Sequence, residues 1–175
     1  MIIKLAKKFA KEKHKGQVRK FSNKPYVKHP EKVASIIKKN KKSHKLNEII
    51  SAAILHDTLE DTNTSEKELK KNFGNLITSL VKELTTKEDE KNKIGKKEYL
   101  AKKMTSMSSW ALVIKLADRL DNVSDLKNSS KEFRERYIDE TNFILNEIEK
   151  NRPLSETHKK LIKKIKNKLK WKKKY

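Results

Sequence analysis

Cysteine is absent from the 175 residues, and glycine and proline occur three times each. The first absence excludes disulfides, thiolate zinc sites and thiol nucleophiles, so any metal must sit on His, Asp, Glu or carbonyl oxygen. A reducing cytoplasm is the expected compartment. The second leaves few tight turns and disfavours small all-β folds, which use both residues freely at hairpins. No stretch approaches the roughly 18 uninterrupted apolar residues of a membrane span, and lysine breaks the opening Met1-Ile2-Ile3-Lys4 too early for a signal-peptide core. A soluble cytoplasmic protein without integral membrane association is expected. Arginine is scarce as well: of 45 basic residues only Arg19, Arg119, Arg134, Arg136 and Arg152 are arginine.

What is abundant is lysine, which gives a formal charge of +22. Base-edge and bidentate phosphate recognition favour Arg, so this charge is a poor match to sequence-specific nucleic-acid binding. Lys, Asn and Ile are enriched together, and their A/T-rich codons account for the enrichment without a polyanionic partner. The chain is 34% hydrophobic, lean but sufficient for one helical domain. The apolar residues recur with a 3.6-residue period, which distinguishes the chain from charge-rich disorder.

The periodicity predicts an all-α protein. Ile2, Ile3, Leu5, Ala6, Phe9 and Ala10 form one stripe of a first helix, which stops near Gly16. His29-Pro30 opens a second helix with proline in a tolerated first position. The run Ile49-Ile50-Ser51-Ala52-Ala53-Ile54-Leu55 reads as a helix buried nearly all round. Ser65 and Glu68 fit a capping box, and Gly74 supplies a left-handed stop before another helix from Asn75 to Leu84. Lys87 to Lys97 has no apolar period and reads as a solvent loop. Helical patterns resume at Tyr99, through Trp110 to Leu120, and from Phe133 to Ile148. Residues 1–150 are expected to form one domain, and 151–175 a lysine-rich C-terminal helix packed on it through Leu161, Ile162, Ile165 and Leu169.

Chemistry concentrates at His56-Asp57, which ends the most apolar segment of a very polar chain. Burying imidazole and carboxylate there costs several kcal/mol unless each finds a partner, and a divalent cation satisfies both. Adjacent helical residues point roughly 100° apart, so other helices must complete the shell. His29, at the head of the second helix, and Asp118, after the apolar run Leu112 to Ala117, are the candidates. Such a thiolate-free His/Asp set suits Mn²⁺, Fe²⁺ or Zn²⁺ better than Ca²⁺ or Mg²⁺. Glu60 and Asp61 lie one turn past the dyad and would stack beside the ion. Asn122, one turn beyond Asp118, would face the same cavity, while Asp121 and Asp125 are expected to be solvated.

The ordered blocks His14-Lys15-Gly16-Gln17-Val18-Arg19-Lys20, Pro25-Tyr26-Val27-Lys28-His29-Pro30, Leu55-His56-Asp57-Thr58-Leu59-Glu60-Asp61-Thr62 and Lys115-Leu116-Ala117-Asp118-Arg119-Leu120-Asp121-Asn122 resemble the hydrolase domain of the RelA/SpoT family. In length the chain is similar to the stand-alone small alarmone hydrolases, which include the metazoan SpoT homologue. The resemblance implies an HD-superfamily fold that removes the 3′-diphosphate of guanosine tetra- or pentaphosphate, giving GDP or GTP and pyrophosphate. It further implies His29, His56, Asp57 and Asp118 as ligands, usually of Mn²⁺, and Glu60 and Asp61 as the catalytic acids. Arg19, Lys20, Asn122 and, from the short block Arg136-Tyr137-Ile138, Tyr137 would bind the nucleotide. Asp121 stands where relatives often carry His, and Phe21-Ser22-Asn23-Lys24 replaces a glycine-containing turn; both departures bear on base selectivity. Two other readings stay open: an HD phosphohydrolase for adenosine alarmones or NADPH, and a silent helical module binding nucleic acid or an anionic surface through the tail. Trp171 and Tyr175 would anchor that tail or stack on a base.

Overall fold

Helices account for all the regular structure among residues 1–172, the part described by this computed structural model, apart from a single antiparallel bridge between Val18 and Pro25. The chain divides into two compact units, Met1–Thr85 and Thr86 onward.

The first unit is organised by α3 (Leu46–Leu55), whose residues Ile49 through Leu55 are all buried. An apolar run without a polar face leaves a helix no solvent side, and here α1 (Ile2–Lys13), α2 (Lys28–Asn40) and α5 (Glu66–Leu84) surround it. Ser51 is accommodated because its hydroxyl donates to the Asn47 carbonyl at 2.8 Å. Phe9 of α1 meets Phe73 of α5 edge to face at 5.3 Å. Ser65 caps α5 by accepting from the Glu68 amide, and Gly74 (φ 76°, ψ 178°) breaks that helix. This conformation is open only to glycine; it kinks the chain at the expected stop, and the helix resumes at once, as the pattern from Asn75 to Leu84 predicts. Between α3 and α5 stands one turn, α4 (Thr58–Asp61), so His56 and Asp57 occupy a break between helices and not the end of a continuous one.

The second unit comprises α6 (Glu88–Ile94), α7 (Lys96–Ser106), α8 (Ser109–Asp125), a 3-10 turn (Leu126–Asn128), α9 (Lys131–Asn151) and α10 (Glu156–Lys172). α7 packs on α9, and α8 on α10. Leu161, Ile162, Ile165 and Leu169 are buried, so the apolar stripe of α10 is consumed in packing, while Lys159, Lys160, Lys163, Lys164, Lys168 and Lys170 are exposed. Buried His158 fastens the start of α10, with Nε2 donating to the Ser109 carbonyl at 2.9 Å and Nδ1 accepting from the Ser155 amide at 3.2 Å. The side chain of Trp171 and all of Tyr175 lie outside the described residues. No helix among the described residues is long and apolar enough to cross a membrane.

Two expectations are corrected. The segment expected as a solvent loop contains α6, which buries no residue. Charge holds it: Glu88, Asp89 and Glu90 in the first turn and Lys91 and Lys93 in the last complement the helix dipole, and Lys87–Glu90 and Lys91–Glu88 pair one turn apart. Asp121, expected to be solvated, is 6% exposed. Eleven of the 17 residues of α8 are buried, which leaves little of its circumference for solvated acids.

Candidate metal centre and active site

In the first unit the candidate ligands come from two helix starts. His29 is the second residue of α2, placed there by the tight turn in which its amide donates to the Tyr26 carbonyl at 2.9 Å. His56 and Asp57 stand in the break that follows α3, and Asp57 is the N-cap of α4. Both imidazoles are buried, and their ring centroids lie 5.2 Å apart. Asp57 Oδ2 lies 2.9 Å from His56 Nε2 and 3.9 Å from His29 Nε2.

The partner of His56 Nδ1 decides what this arrangement can hold. Nδ1 lies 2.8 Å from the Ala53 carbonyl, which only accepts, so Nδ1 carries a proton and neutral His56 presents its Nε2 lone pair to Asp57. Two acceptors at 2.9 Å need a proton or a cation between them. A backbone carbonyl that fixes the tautomer of a histidine, with Nε2 aimed at a carboxylate, is how proteins prepare imidazole for a metal.

The acids lie beside this centre. The amides of Glu60 and Asp61 donate to the Asp57 carbonyl at 3.2 and 2.8 Å, so the expected one-turn spacing survives inside α4. Partial burial, then the neighbouring charges of Asp57 and Glu60, push the Asp61 carboxyl above its usual range, against a lowering contribution from Tyr26. A carboxyl raised in the folded state weakens folding at neutral pH and costs nothing once pH is below its unfolded value. Asp61→Asn should therefore raise the melting temperature of the metal-free protein at neutral pH, the gain vanishing as pH falls through the carboxylate range. Equal melting temperatures at neutral pH would show that Asp61 carries no such strain.

The sequence pattern assigns no role to Tyr26. Its hydroxyl donates to Asp57 Oδ2 at 2.5 Å and lies 3.3 Å from Asp61 Oδ2, so it ties a candidate ligand to a candidate catalytic acid. Its place one turn before His29 was the available signal. Arg19 and Lys20 sit on the turn closed by the Arg19 amide donating to the Lys24 carbonyl at 2.8 Å. Asn23 takes the left-handed position there (φ 50°), which explains how this turn forms without glycine. Lys20 Nζ lies 5.5 Å from the centre of the Phe21 ring.

In the second unit Asp118 is 7% exposed on α8. Asn122 Nδ2 donates to its Oδ1 at 2.6 Å, and Lys115 Nζ lies 3.1 Å from Oδ2, so its carboxylate is fixed from one turn on either side. Arg119, to which no local pattern gives a role, is buried. It donates to Glu140 Oε1 from both terminal nitrogens at 3.2 Å and to Thr141 Oγ1 at 2.9 Å, and lies over the Tyr137 ring at 5.1 Å. Burial pushes the Tyr137 hydroxyl up, so it is a neutral phenol at physiological pH, and its ring also stacks on Phe133.

Comparison with known proteins gives a consistent result. The HD domain family matches residues 6–152. The guanosine-3′,5′-bis(diphosphate) 3′-pyrophosphohydrolase of Xenopus tropicalis is 40% identical over 134 residues, covering 73% of this chain and 70% of that protein. The human protein of that name is 36% identical over 131 residues, covering 71% and 69%. The Aquifex aeolicus enzyme of similar name is 38% identical over 148 residues, 79% of this chain, which spans 20% of that longer protein. Among solved structures, a metazoan ortholog of SpoT described as hydrolysing ppGpp superimposes with a TM-score of 0.82 at 27% identity, covering 98% of this chain and 95% of that one.

Proposed function

The chain belongs to the HD domain family, and we propose that it is a metal-dependent hydrolase that releases pyrophosphate from the 3′-position of guanosine 3′,5′-bis(diphosphate) and of the corresponding pentaphosphate. One observation carries the reading: buried His56 Nε2 and Asp57 Oδ2 face each other at 2.9 Å, with His29 beside them and two further acids on the next turn. The names of the relatives supply the substrate.

In this proposal His29, His56, Asp57 and Asp118 hold a divalent ion, Mn²⁺ ahead of Fe²⁺ or Zn²⁺, and residues 1–150 act as one hydrolase domain. The donor set fits: two imidazoles and two carboxylates, without thiolate, suit those ions. Bound there, the ion would make water a nucleophile at neutral pH and offset the negative charge of the diphosphate. Glu60 and Asp61 orient the attacking water and take its proton, a task for which the raised basicity of Asp61 suits it. Water attacks the phosphorus attached to the ribose 3′-oxygen, that P–O bond breaks, and the 3′-oxygen leaves with a proton from the same acids. Arg19 and Lys20 hold the diphosphate oxygens, and Asn122 and Tyr137 position the nucleoside.

The test is a substrate panel with Mn²⁺: the guanosine bis(diphosphate), its adenosine analogue and NADPH, each with and without a chelator. The guanosine substrate should give the highest kcat/KM, and chelation should abolish it. A higher kcat/KM for NADPH or the adenosine analogue would transfer the activity to that substrate, and chelator-resistant turnover would overturn the metal assignment.

A further inference from the structure

The catalytic acids sit on a support that cannot hold itself. α4 is one turn of four residues, too short to be stable alone. It carries Glu60 and Asp61 directly after Asp57, three like charges in five positions. At its end the chain turns extended at Thr62 (φ −139°), and the terminal carbonyls need partners from elsewhere.

One partner is Gln17, whose Nε2 donates to the Asp61 carbonyl at 2.8 Å. That carbonyl only accepts, so the amide nitrogen of Gln17 must face it and the amide oxygen must face the other way. There Oε1 lies 2.7 Å from His14 Nδ1, which is therefore the donor. The tautomer of His14 follows: neutral His14 has its proton on Nδ1 and its lone pair on Nε2. His14 is 3% exposed, and Nε2 is buried with no hydrogen-bond partner among the described residues. Burying an unsatisfied acceptor is costly, and phenylalanine would fill the same space without that cost. What phenylalanine lacks is the Nδ1 proton. The imidazole also lies against the ring of Tyr26, centroids 4.8 Å apart, the residue whose hydroxyl reaches Asp57 and Asp61.

We infer that His14 and Gln17 are positioning residues of the hydrolytic reaction: a relay from His14 through Gln17 fixes the Asp61 peptide, and the His14 ring backs Tyr26. Neither residue touches the substrate. The inference rests on the hydrolase reading above.

The variants are His14→Phe, which keeps a ring against Tyr26 and loses the donor, Gln17→Met, which breaks the relay at its middle, the double variant, and His14→Asn, which restores an N–H near the position of Nδ1. All are measured as the full chain with Mn²⁺, together with bound metal, melting temperature and hydrogen exchange across residues 57–62. His14→Phe and Gln17→Met should each lower kcat about tenfold, the factor that one hydrogen bond carries, with KM within about twofold of the unaltered protein. Metal content should stay unchanged, melting temperature should not fall, and exchange across residues 57–62 should quicken. The double variant should lose no more than the worse single one, because both break the same relay, and His14→Asn should recover most of the loss. Unchanged kcat in both single variants, losses that multiply, a rise in KM alone, or losses that track metal content or melting temperature would each overturn the relay. Failure of the unaltered protein to turn over would strike the hydrolase reading instead, and unchanged exchange across residues 57–62 would then reject the relay on its own.

Discussion

Replacing Glu60 by Gln is expected to lower kcat for pyrophosphate release by about a hundredfold to ten-thousandfold, the range that a positioned acid–base group contributes. KM and bound metal should stay near those of the unaltered protein. Glu60 is exposed on α4, one turn past Asp57, so the amide is accepted there without a cavity or a lost packing contact. What the substitution removes is a proton acceptor, and proton transfer is felt in the transition state and hardly in the ground state, which places the loss in kcat. Glu60 and Asp61 act as a unit in this account. The double variant Glu60→Gln/Asp61→Asn should therefore fall far short of the product of the two single losses. The measurement is steady-state release of pyrophosphate with Mn²⁺ at several substrate concentrations. Full turnover in Glu60→Gln would remove it from the mechanism.

Asp57→Ala should fail earlier, at the metal. Its Oδ2 is 2.9 Å from His56 Nε2 and 3.9 Å from His29 Nε2, and it accepts from the Tyr26 hydroxyl at 2.5 Å. The substitution takes from both imidazoles the carboxylate oxygen they share. Turnover should fall to background. Melting separates this from a purely catalytic defect. A ligand that binds only the folded state stabilises it by about 2.7 kcal/mol when present at a hundred times its dissociation constant, so added Mn²⁺ should raise the melting temperature of the unaltered protein. In Asp57→Ala that rise should disappear, while Glu60→Gln should keep it. The metal-free variant should fold, since the substitution removes one charge from a group of three neighbouring acids. A variant that retains its Mn²⁺-dependent rise would show that Asp57 is not a ligand.

Elements that depend on apolar periodicity are legible in this sequence. The run from Ile49 to Leu55 is buried all round, the stripe of Leu161, Ile162, Ile165 and Leu169 is packed against the fold, and Ser65 caps its helix through the Glu68 amide. The one-turn relation of Asp57 to Asp61 could be counted from residue numbers and persists, although the helix breaks before it. Features that depend on charge or on distant partners are not legible in the same way. α6 has no apolar face to announce it and is held by its own acids and lysines. Asp121 looks like a surface acid because its residue type is usually exposed; its burial follows from how much of α8 is covered. The pairing of Arg119 with Glu140 spans 21 residues, and that of Tyr26 with Asp57 spans 31, so no local pattern reveals either. In the candidate site the sequence names the groups proposed to carry the chemistry. The groups that orient them, Tyr26 above all, emerge only when the chain is folded.

In the proposed reaction water, activated beside Asp57, Glu60 and Asp61, attacks the 3′-attached phosphorus of a guanosine bis(diphosphate). The most direct test is to run the Mn²⁺-supported reaction in ¹⁸O-labelled water and follow the products by phosphorus NMR and mass spectrometry. Pyrophosphate should carry one labelled oxygen, and the GDP should be unlabelled. Label in the nucleotide, orthophosphate as the released product, or no hydrolysis at all would contradict it.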